Sequence, residues 1–495
     1  MGLGLYQEGS GISATRFLLS KGAKVTVTDL KTKKELARQI ERLGQSARKI
    51  KFVLGRHQEE DFNPPPSGTD LIIKNPGVPR TSKYLAIARA NNIPVETDIS
   101  LFFKLVNRKQ IIGITGTRGK STTTTLIYKI LLSAGQKAII GGNIKKSPLT
   151  QLNKMSAKGG SHARGRQGAS GGKNDSWAVL ELSSWLLESL EDAKLSPHLA
   201  VFTNIYPDHL NTYRDLDDYA AAKENIFQWQ NPQDYVVLNF DNKYTRAMGR
   251  RVPSKRFWFS LKEFSEENGC FVKNNNIYFR LDGQEEKILS LSDIKIIGEH
   301  NVANVLAAVC AGKILGLNNQ KIRKAVRSFK GVPDRLEFLR DIRGVKYYND
   351  TTSTTPEATI AALRALSQKH KNTPVVEQSS LQGKAKAQKH IILIAGGADK
   401  GLDFRTLTKE IKKTCKSLVL LKGTGTERIK KLLEIRNKKL EIKEAFSIVE
   451  AVNLAGSLAK SEDIIILSPA CASFGMFINE FDRGDQFKKI IRQLK

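Results

Sequence analysis

Cysteine is scarce. Only Cys270, Cys310, Cys415 and Cys471 occur in 495 residues, far apart and without a C-x-x-C pair. That spacing excludes a disulfide framework and offers no zinc site, so a reducing, cytoplasmic setting is expected. The chain also lacks any apolar run near the roughly 18 residues that would cross a bilayer, and it does not open on a basic stretch followed by an apolar one. Neither secretion nor membrane insertion is expected. Tyr6 breaks a myristoylation pattern, and the terminal RQLK is no prenylation box. Acidic residues are the scarcer sign, 49 Asp and Glu against 80 Lys and Arg, for a net charge of +31. These cations are scattered through every predicted element and are not interleaved with aromatics as a base-stacking surface requires. A generally basic surface is expected rather than a nucleic-acid site, with anionic small substrates as its beneficiaries.

What the chain does have is an alternation of strand-like and helix-like segments, which argues for parallel α/β domains. Three such domains are expected, over residues 1–108, 109–330 and 331–495. The apolar strands IIGIT, AVLELSS, HLAVFTNI and YVVLNFD fall in the second, and VKYYND, HIILIAGG, SLVLLKG and DIIILSPA in the third. Residues 154–175 and 367–389 are rich in Gly, Ser and basic residues without a periodic apolar face, and are expected to be disordered surface insertions.

The first domain lacks something too. MGLGLYQEGSG is a glycine turn of the phosphate-facing kind, followed by a helical pattern and a strand ending in Asp29, but no strand precedes it. That strand would be central in its sheet, and its loss would leave backbone groups unpaired. The expectation is a start misplaced by roughly six to ten residues, about one strand's length. The rival is a naturally open domain with weaker ligand binding.

The strongest chemical signal is GITGTRGKSTTTT. A buried strand ends at Thr115 and a glycine turn leads through Lys120 and Ser121 into a helix. Such a loop aims backbone NH groups at a polyphosphate, adds an ammonium over the β- and γ-phosphates, and offers a hydroxyl to magnesium. Ile114 stands where the strict spacing wants a glycine, so the match is to the shorter G-x-x-G-K-S form, Gly116 to Ser121. Past the next strands come Glu181 and Ser183 in ELSSW, then Asp208 and His209 in TNIYPDHLN. A hydroxyl, carboxylates and an imidazole at strand carboxyl ends suit a hard cation. In DLDDYAAAKENIF, Asp215 is the expected helix cap and Lys223 follows three alanines. Half-buried beside the site, that lysine would be neutral enough to react with carbon dioxide.

Ten motifs in order, GTRGKSTTT, GGN, ELSSW, TNIYPDHLN, YAAAK, GEHNVAN, GVPDRLEF, NDTTSTTPEAT, GGADKG and SPACASF, resemble those of the Mur ligase family. The resemblance covers nearly the whole chain. It implies a Rossmann-like UDP-binding domain, a central P-loop ATPase-type domain and a Rossmann-like C-terminal domain. It also implies ATP-driven addition of D-glutamate to UDP-N-acetylmuramoyl-L-alanine through an acyl phosphate, in peptidoglycan precursor synthesis. By the same resemblance, Gly116, Thr117, Gly119, Lys120, Ser121 and Thr122 would bind ATP together with Asn301, Arg335 and Asp350. Ser121 and Glu181 would hold one magnesium ion, and His209 with a carbamylated Lys223 a second. Lys120, His209 and Lys223 would be catalytic. Gly4, Leu5, Asp29, Asn143 and Ser183 would meet the UDP-muramoyl substrate, and Thr354, Lys400, Ser473 and Phe481 the D-glutamate. A monomer acting on small molecules is implied, without membrane or nucleic-acid partner.

The chain departs from the family pattern at Arg118, Lys145, Leu186 and Thr352, where asparagine, glycine, glutamine and lysine are usual, and in the reversed Glu480-Phe481 order. The alternatives are another Mur-type or folylpolyglutamate-synthase-like ligase and, more distantly, a nucleic-acid-binding P-loop ATPase. The last leaves the motifs after Gly331 unexplained.

Overall fold

The computed structural model describes the chain except residues 5–7, 67, 145, 156–175, 209–211, 266, 372–388, 435–439 and 495, and describes no side chain at 368–371 or 434. His209, Leu5 and most of both expected insertions therefore lie outside the described residues. The helix Pro356–Lys371 does run into the second of those stretches. No described helix is long and apolar enough to cross a membrane.

The chain forms two compact units, one of residues 1–294 and 302–328, the other of residues 295–301 and 329–495. In the first, a nine-stranded sheet runs in the order Gln284–Ser290, Asn276–Leu281, Gly269–Lys273, Lys255–Ser260, Tyr235–Asn239, Leu199–Phe202, Ile111–Thr115, Ser176–Glu181, Lys137–Gly142. All neighbours are parallel from Gly269–Lys273 onward. The two strands at the other edge are antiparallel. Strands covered on both faces read as continuous apolar runs, and Ile111–Thr115 and Ser176–Glu181 are buried at every position. The chain leaves Ile111–Thr115 for one side of the sheet and returns to its other side at Leu199–Phe202, so that strand is the switch point where open α/β sheets carry ligands.

The helix ahead of the boundary expected at residue 108 packs with the strands after it. Ile99, Phe102, Phe103 and Val106 share the core of the nine-stranded sheet with Leu180, Leu187 and Phe202. Helix Asp98–Leu105, which carries the first three, begins in a capping box between Thr97 and Ser100.

Ahead of it lie two short parallel pairs, Val25–Asp29 with Ile50–Leu54 and Ile72–Ile73 with Val95–Glu96. Met1 and Gly2 fill the space between them. Gly2 N donates to Thr28 O (2.8 Å), Met1 N to Ile73 O (2.9 Å), and Asn75 N to Met1 O (2.9 Å). Three hydrogen bonds thus tie the first two residues to both pairs.

The second unit holds a six-stranded sheet, ordered Glu337–Ile342, Val345–Asn349, Ile464–Leu467, Ile391–Gly396, Cys415–Leu421, Glu441–Ala445, parallel except for the first strand. Apolar clusters cover both of its faces, one around Leu393, Leu418 and Ile466, the other around Ile394, Val419 and Ile465. The helix Glu299–Ile314 begins in this unit and continues in the first.

Candidate functional site

The loop after Ile111–Thr115 turns on glycine. Gly116 and Gly119 have φ of +140° and +82°, where a side chain is strained, and a Cβ on Gly119 would stand 2.1 Å from Asn304 Oδ1. Helix Lys120–Ser133 starts directly after Gly119, so its first NH groups and dipole face the loop. The Lys120 ammonium folds back over this loop, donating to Gly116 O (2.9 Å) and Thr117 O (3.0 Å).

A second segment, residues 203–208, is clipped to the loop. Thr117 N donates to Asn204 O (2.8 Å) and Arg118 N to Asn204 Oδ1 (2.9 Å). Thr203 Oγ1 donates to Arg118 O (2.6 Å), and Tyr206 N to Thr117 Oγ1 (3.0 Å). Arg118 Nη1 reaches Asp208 Oδ2 at 3.0 Å.

Glu181 ends its strand one position from the switch point and is 1% exposed. Its Oε2 accepts from Ser121 Oγ (2.6 Å) and its Oε1 from Asn143 Nδ2 (3.0 Å). One buried carboxylate therefore joins the phosphate-type loop to the GGN loop. Ser183, assigned to the muramoyl end, caps helix Ser184–Asp192 by accepting from Leu186 N at 3.4 Å.

Lys223 lies on helix Leu216–Gln228, which Asp215 caps as expected by accepting from Asp218 N (2.8 Å). The lysine is 1% exposed and its ammonium sits 4.7 Å from the centre of the Tyr219 ring. Burial holds its pKa well below the usual lysine range, the neighbouring Lys120 and Arg118 charges push the same way, and Asp208 and Glu181 oppose them. Lys223, Lys120, Arg118, Asp208 and Glu181 thus lie in one neighbourhood. Tyr219, one turn before Lys223, was not singled out from the sequence, although the spacing of four on a helix could have found it. Burial raises its phenol to about 12 and its side chain bonds to Thr117.

At the amino end, Asp29 was expected near a uridine. Its Oδ2 accepts from Leu3 N (2.8 Å) and its Oδ1 from Lys31 N (3.0 Å), so the carboxylate holds the glycine turn itself. Gly4 sits in that turn with φ +78°, against Asn75.

In the second unit, Lys400 Nζ donates to Thr354 Oγ1 at 3.3 Å. Ala398 and Ala472 exchange backbone hydrogen bonds of 3.0 and 3.1 Å, which sets the Lys400 loop beside the buried Ser473. Three of the four residues assigned to D-glutamate thus come from adjoining loops at the strands' carboxyl ends. Phe481 lies in the first turn of helix Glu480–Gln493, its NH bonded to Asn479 Oδ1 (3.0 Å). Asp350 is buried, with Oδ1 accepting from Leu336 N (2.9 Å) and Oδ2 from Ser468 Oγ (2.8 Å), and burial pushes its pKa up to about 6. Arg335 is close enough for its charge to oppose that rise. Asn301 Nδ2 donates to Ile297 O (2.8 Å), across the first turn of its helix.

A doubly wound sheet with a glycine loop, a lysine and a hydroxyl–carboxylate pair at its switch point defines a nucleotide-using α/β protein. Comparison with known families narrows this. Residues 114–312 match the Mur ligase middle domain, residues 1–97 the N-terminal domain of MurD-like Mur ligases, and residues 334–471 the Mur ligase glutamate ligase domain. The chain is 37% identical over 499 residues to the UDP-N-acetylmuramoylalanine–D-glutamate ligase of Roseiflexus sp. (strain RS-1), covering 99% of this chain and 97% of that one. It is 36% identical to the ligase of the same name from Koribacter versatilis, covering 98% and 95%. Among solved structures, the UDP-N-acetylmuramate-alanine ligase of Thermotoga maritima shares the fold at TM-score 0.58 and 18% identity, over 99% of this chain and 98% of that one. The chain belongs to the Mur ligase family. It is an ATP-dependent enzyme that forms amide bonds.

Proposed function

We propose that this chain joins D-glutamate to UDP-N-acetylmuramoyl-L-alanine at the expense of ATP, a step of peptidoglycan precursor synthesis carried out in the cytoplasm by a monomer. The supporting observation is the Glu181 carboxylate, held by Ser121 from one loop and Asn143 from another, with Lys120 and Lys223 beside it.

In the reaction, an oxygen of the alanyl carboxylate attacks the γ-phosphorus of ATP and ADP leaves. The D-glutamate nitrogen then attacks the acyl carbon, loses a proton, and expels phosphate. Both steps spread negative charge over phosphoryl oxygens, so the protein's task is to hold cations and NH groups around them. In this reading Lys120 exchanges its two carbonyl partners for the γ-phosphate, the NH groups of Gly116, Gly119, Ser121 and Thr122 line the phosphates, and Thr117 keeps the loop in shape through its bond to Asn204 O. Asn301, Arg335 and Asp350 hold the remainder of the nucleotide. Asn143, Ser183, Gly4, Leu5 and Asp29 hold the UDP-muramoyl substrate, with Asp29 acting through the glycine turn. Thr354, Lys400 and Ser473 receive the D-glutamate carboxylates and Phe481 backs them.

The residues present suit magnesium, because Ser121 and Glu181 offer a hydroxyl and a carboxylate at 2.6 Å from each other, the hard oxygen donors that ion takes. His209 and Lys223 are the proposed ligands of a second ion. When bound, magnesium neutralises phosphate charge. Lys223 suits carbamylation: burial favours its neutral amine, and the cations Lys120 and Arg118 would balance the carboxylate so formed.

Two outcomes test the reading. With the UDP-linked alanyl substrate and ATP, phosphate release should require D-glutamate and stay at background with L-lysine or L-alanine; equal release with either would place the chain elsewhere in the family. In the same assay Gly119→Ala, which brings a methyl group onto Asn304 at a positive φ, should lower kcat/KM for ATP by about tenfold or more. An unchanged value would remove the loop from the nucleotide site.

A further inference from the structure

Arg483, on helix Glu480–Gln493, is fully buried and has no part in the chemistry above. Its Nε donates to Thr351 Oγ1 (3.1 Å) and its Nη2 to Thr351 O (2.9 Å), so two nitrogens of the guanidinium grip one residue. Thr351 Oγ1 in turn donates to Glu480 O (2.7 Å), at the start of the same helix. The approach is close, because a Cβ on Gly484 would stand 2.5 Å from Thr351 Cγ2. Among the described residues Nη1 has no hydrogen-bond partner. Burial holds the guanidinium pKa down at about 10, against the pull of Glu480 and Cys471. An apolar side chain of like volume would pack here at least as well as such a cation. What the arginine supplies beyond packing is a pair of directed donors.

Three segments meet at this side chain. Thr351 lies three positions before Thr354, which accepts from Lys400. Cys471, whose thiol is acted on by the charges of both Arg483 and Lys400, lies two positions before Ser473. Phe477 has its ring centre 5.9 Å from Arg483 Cζ and donates its NH to Ser473 O (3.2 Å). Phe481 lies two positions before Arg483 itself. We propose that Arg483 is a positioning residue of the D-glutamate pocket, whose two bonds to Thr351 lock the loop of Thr354 to the helix of Phe481. This rests on the reading of Thr354, Lys400, Ser473 and Phe481 as that pocket. Because Arg483 is buried, it acts through Thr351 and not by touching substrate. Asp350, assigned to the nucleotide, is next to Thr351 but is held by Leu336 N and Ser468 Oγ, so the nucleotide end does not depend on this lock. A lysine would not replace it, since a single ammonium lacks the fixed spread of donors that spans a hydroxyl and a carbonyl.

Steady-state phosphate release by the full chain, with each substrate varied in turn, tests the proposal. Arg483→Lys should raise KM for D-glutamate by about tenfold, while KM for ATP and for the UDP-linked substrate stays within about twofold. A brace that served folding alone would lower the amount of active enzyme, and so kcat, and leave all three KM values where they were. Thr351→Val, which keeps the guanidinium but removes the hydroxyl it grips, should raise the D-glutamate KM about fivefold. Thr351→Ser, which keeps that hydroxyl, should restore most of the loss. Combining Arg483→Lys with Thr351→Val should be no worse than about twofold beyond Arg483→Lys, because both act through one contact. If Arg483→Lys does not fold, the Thr351 pair decides alone. A D-glutamate KM unmoved in Arg483→Lys or in Thr351→Val overturns the proposal, and so does an equal rise in all three KM values. Lys400→Ala run alongside keeps the two readings apart. If it leaves the D-glutamate KM unchanged, the pocket is misassigned and the role of Arg483 falls with it. If it raises that KM while the Arg483 and Thr351 variants do not, only the role of Arg483 falls.

Discussion

Replacing Lys120 by alanine should lower ATP-dependent phosphate release by about a thousandfold or more, because it takes away a cation that the loop holds directly over its own carbonyls. Binding of the UDP-muramoyl substrate should be nearly unchanged, since Asn143 and the glycine turn around Leu3 are held by Glu181 and Asp29, not by Lys120. The two readouts are measured by coupled phosphate release and by titration with the UDP-linked substrate. Retained turnover would remove Lys120 from phosphoryl transfer. A parallel loss of substrate binding would instead mean that the loop had collapsed.

The second large effect concerns Lys223. Substitution by alanine should reduce turnover by about a hundredfold or more, and millimolar acetate or formate should restore part of it by occupying the vacated carboxylate position. No recovery at any concentration would leave Lys223 a packing residue. Stability provides an independent check, with the sign fixed by linkage. The folded amine titrates below its unfolded value of 10.5, so at neutral pH the unfolded chain takes up a proton that the folded one resists. The lysine therefore costs stability at pH 7, and the cost fades as pH rises toward 10.5. Lys223→Met, which keeps the volume without the charge, should melt higher than the unaltered protein at pH 7 in buffer free of carbon dioxide, and the gap should narrow at pH 9. Added bicarbonate should also narrow it, by converting the amine to its carbamate.

Much of this site is legible in the sequence because its parts are contiguous or sit at strand ends. Gly116, Gly119, Lys120 and Ser121 lie within six positions, and the strand before them is an unbroken apolar run. Glu181 could be placed at a sheet edge from the apolar stretch that precedes it, and Asp215 could be named as a cap from its spacing to Asp218. What the sequence does not carry is pairing across distance. Nothing in GTRGKS marks Arg118 as the partner of Asp208, ninety positions later. Asp29 illustrates the same limit, since its position was read well while its carboxylate turned out to be used on backbone NH groups of its own domain.

The antiparallel edge of the large sheet was missed for a different reason. Its turns are Asn274-Asn275 and Asp282-Gly283, all at positive φ, as tight hairpins require. That signal was present, but the strands it joins, GCFVK, NIYFRL and QEEKILS, are polar on the exposed side and short. Near the domain boundary expected at residue 108 composition does not change, so the sequence does not show which core the preceding helix joins. Ile99, Phe102 and Phe103 look like the end of one domain but are buried in the core of the next.

The central claim is that the alanyl carboxylate is phosphorylated by ATP before the amine attacks. It is tested most directly by labelling both oxygens of that carboxylate with heavy oxygen and analysing the phosphate released during turnover with D-glutamate. The account predicts one labelled oxygen in each phosphate, carried over from the carboxylate when the acyl phosphate breaks. Phosphate free of label, formed at the same rate as the amide, would contradict it.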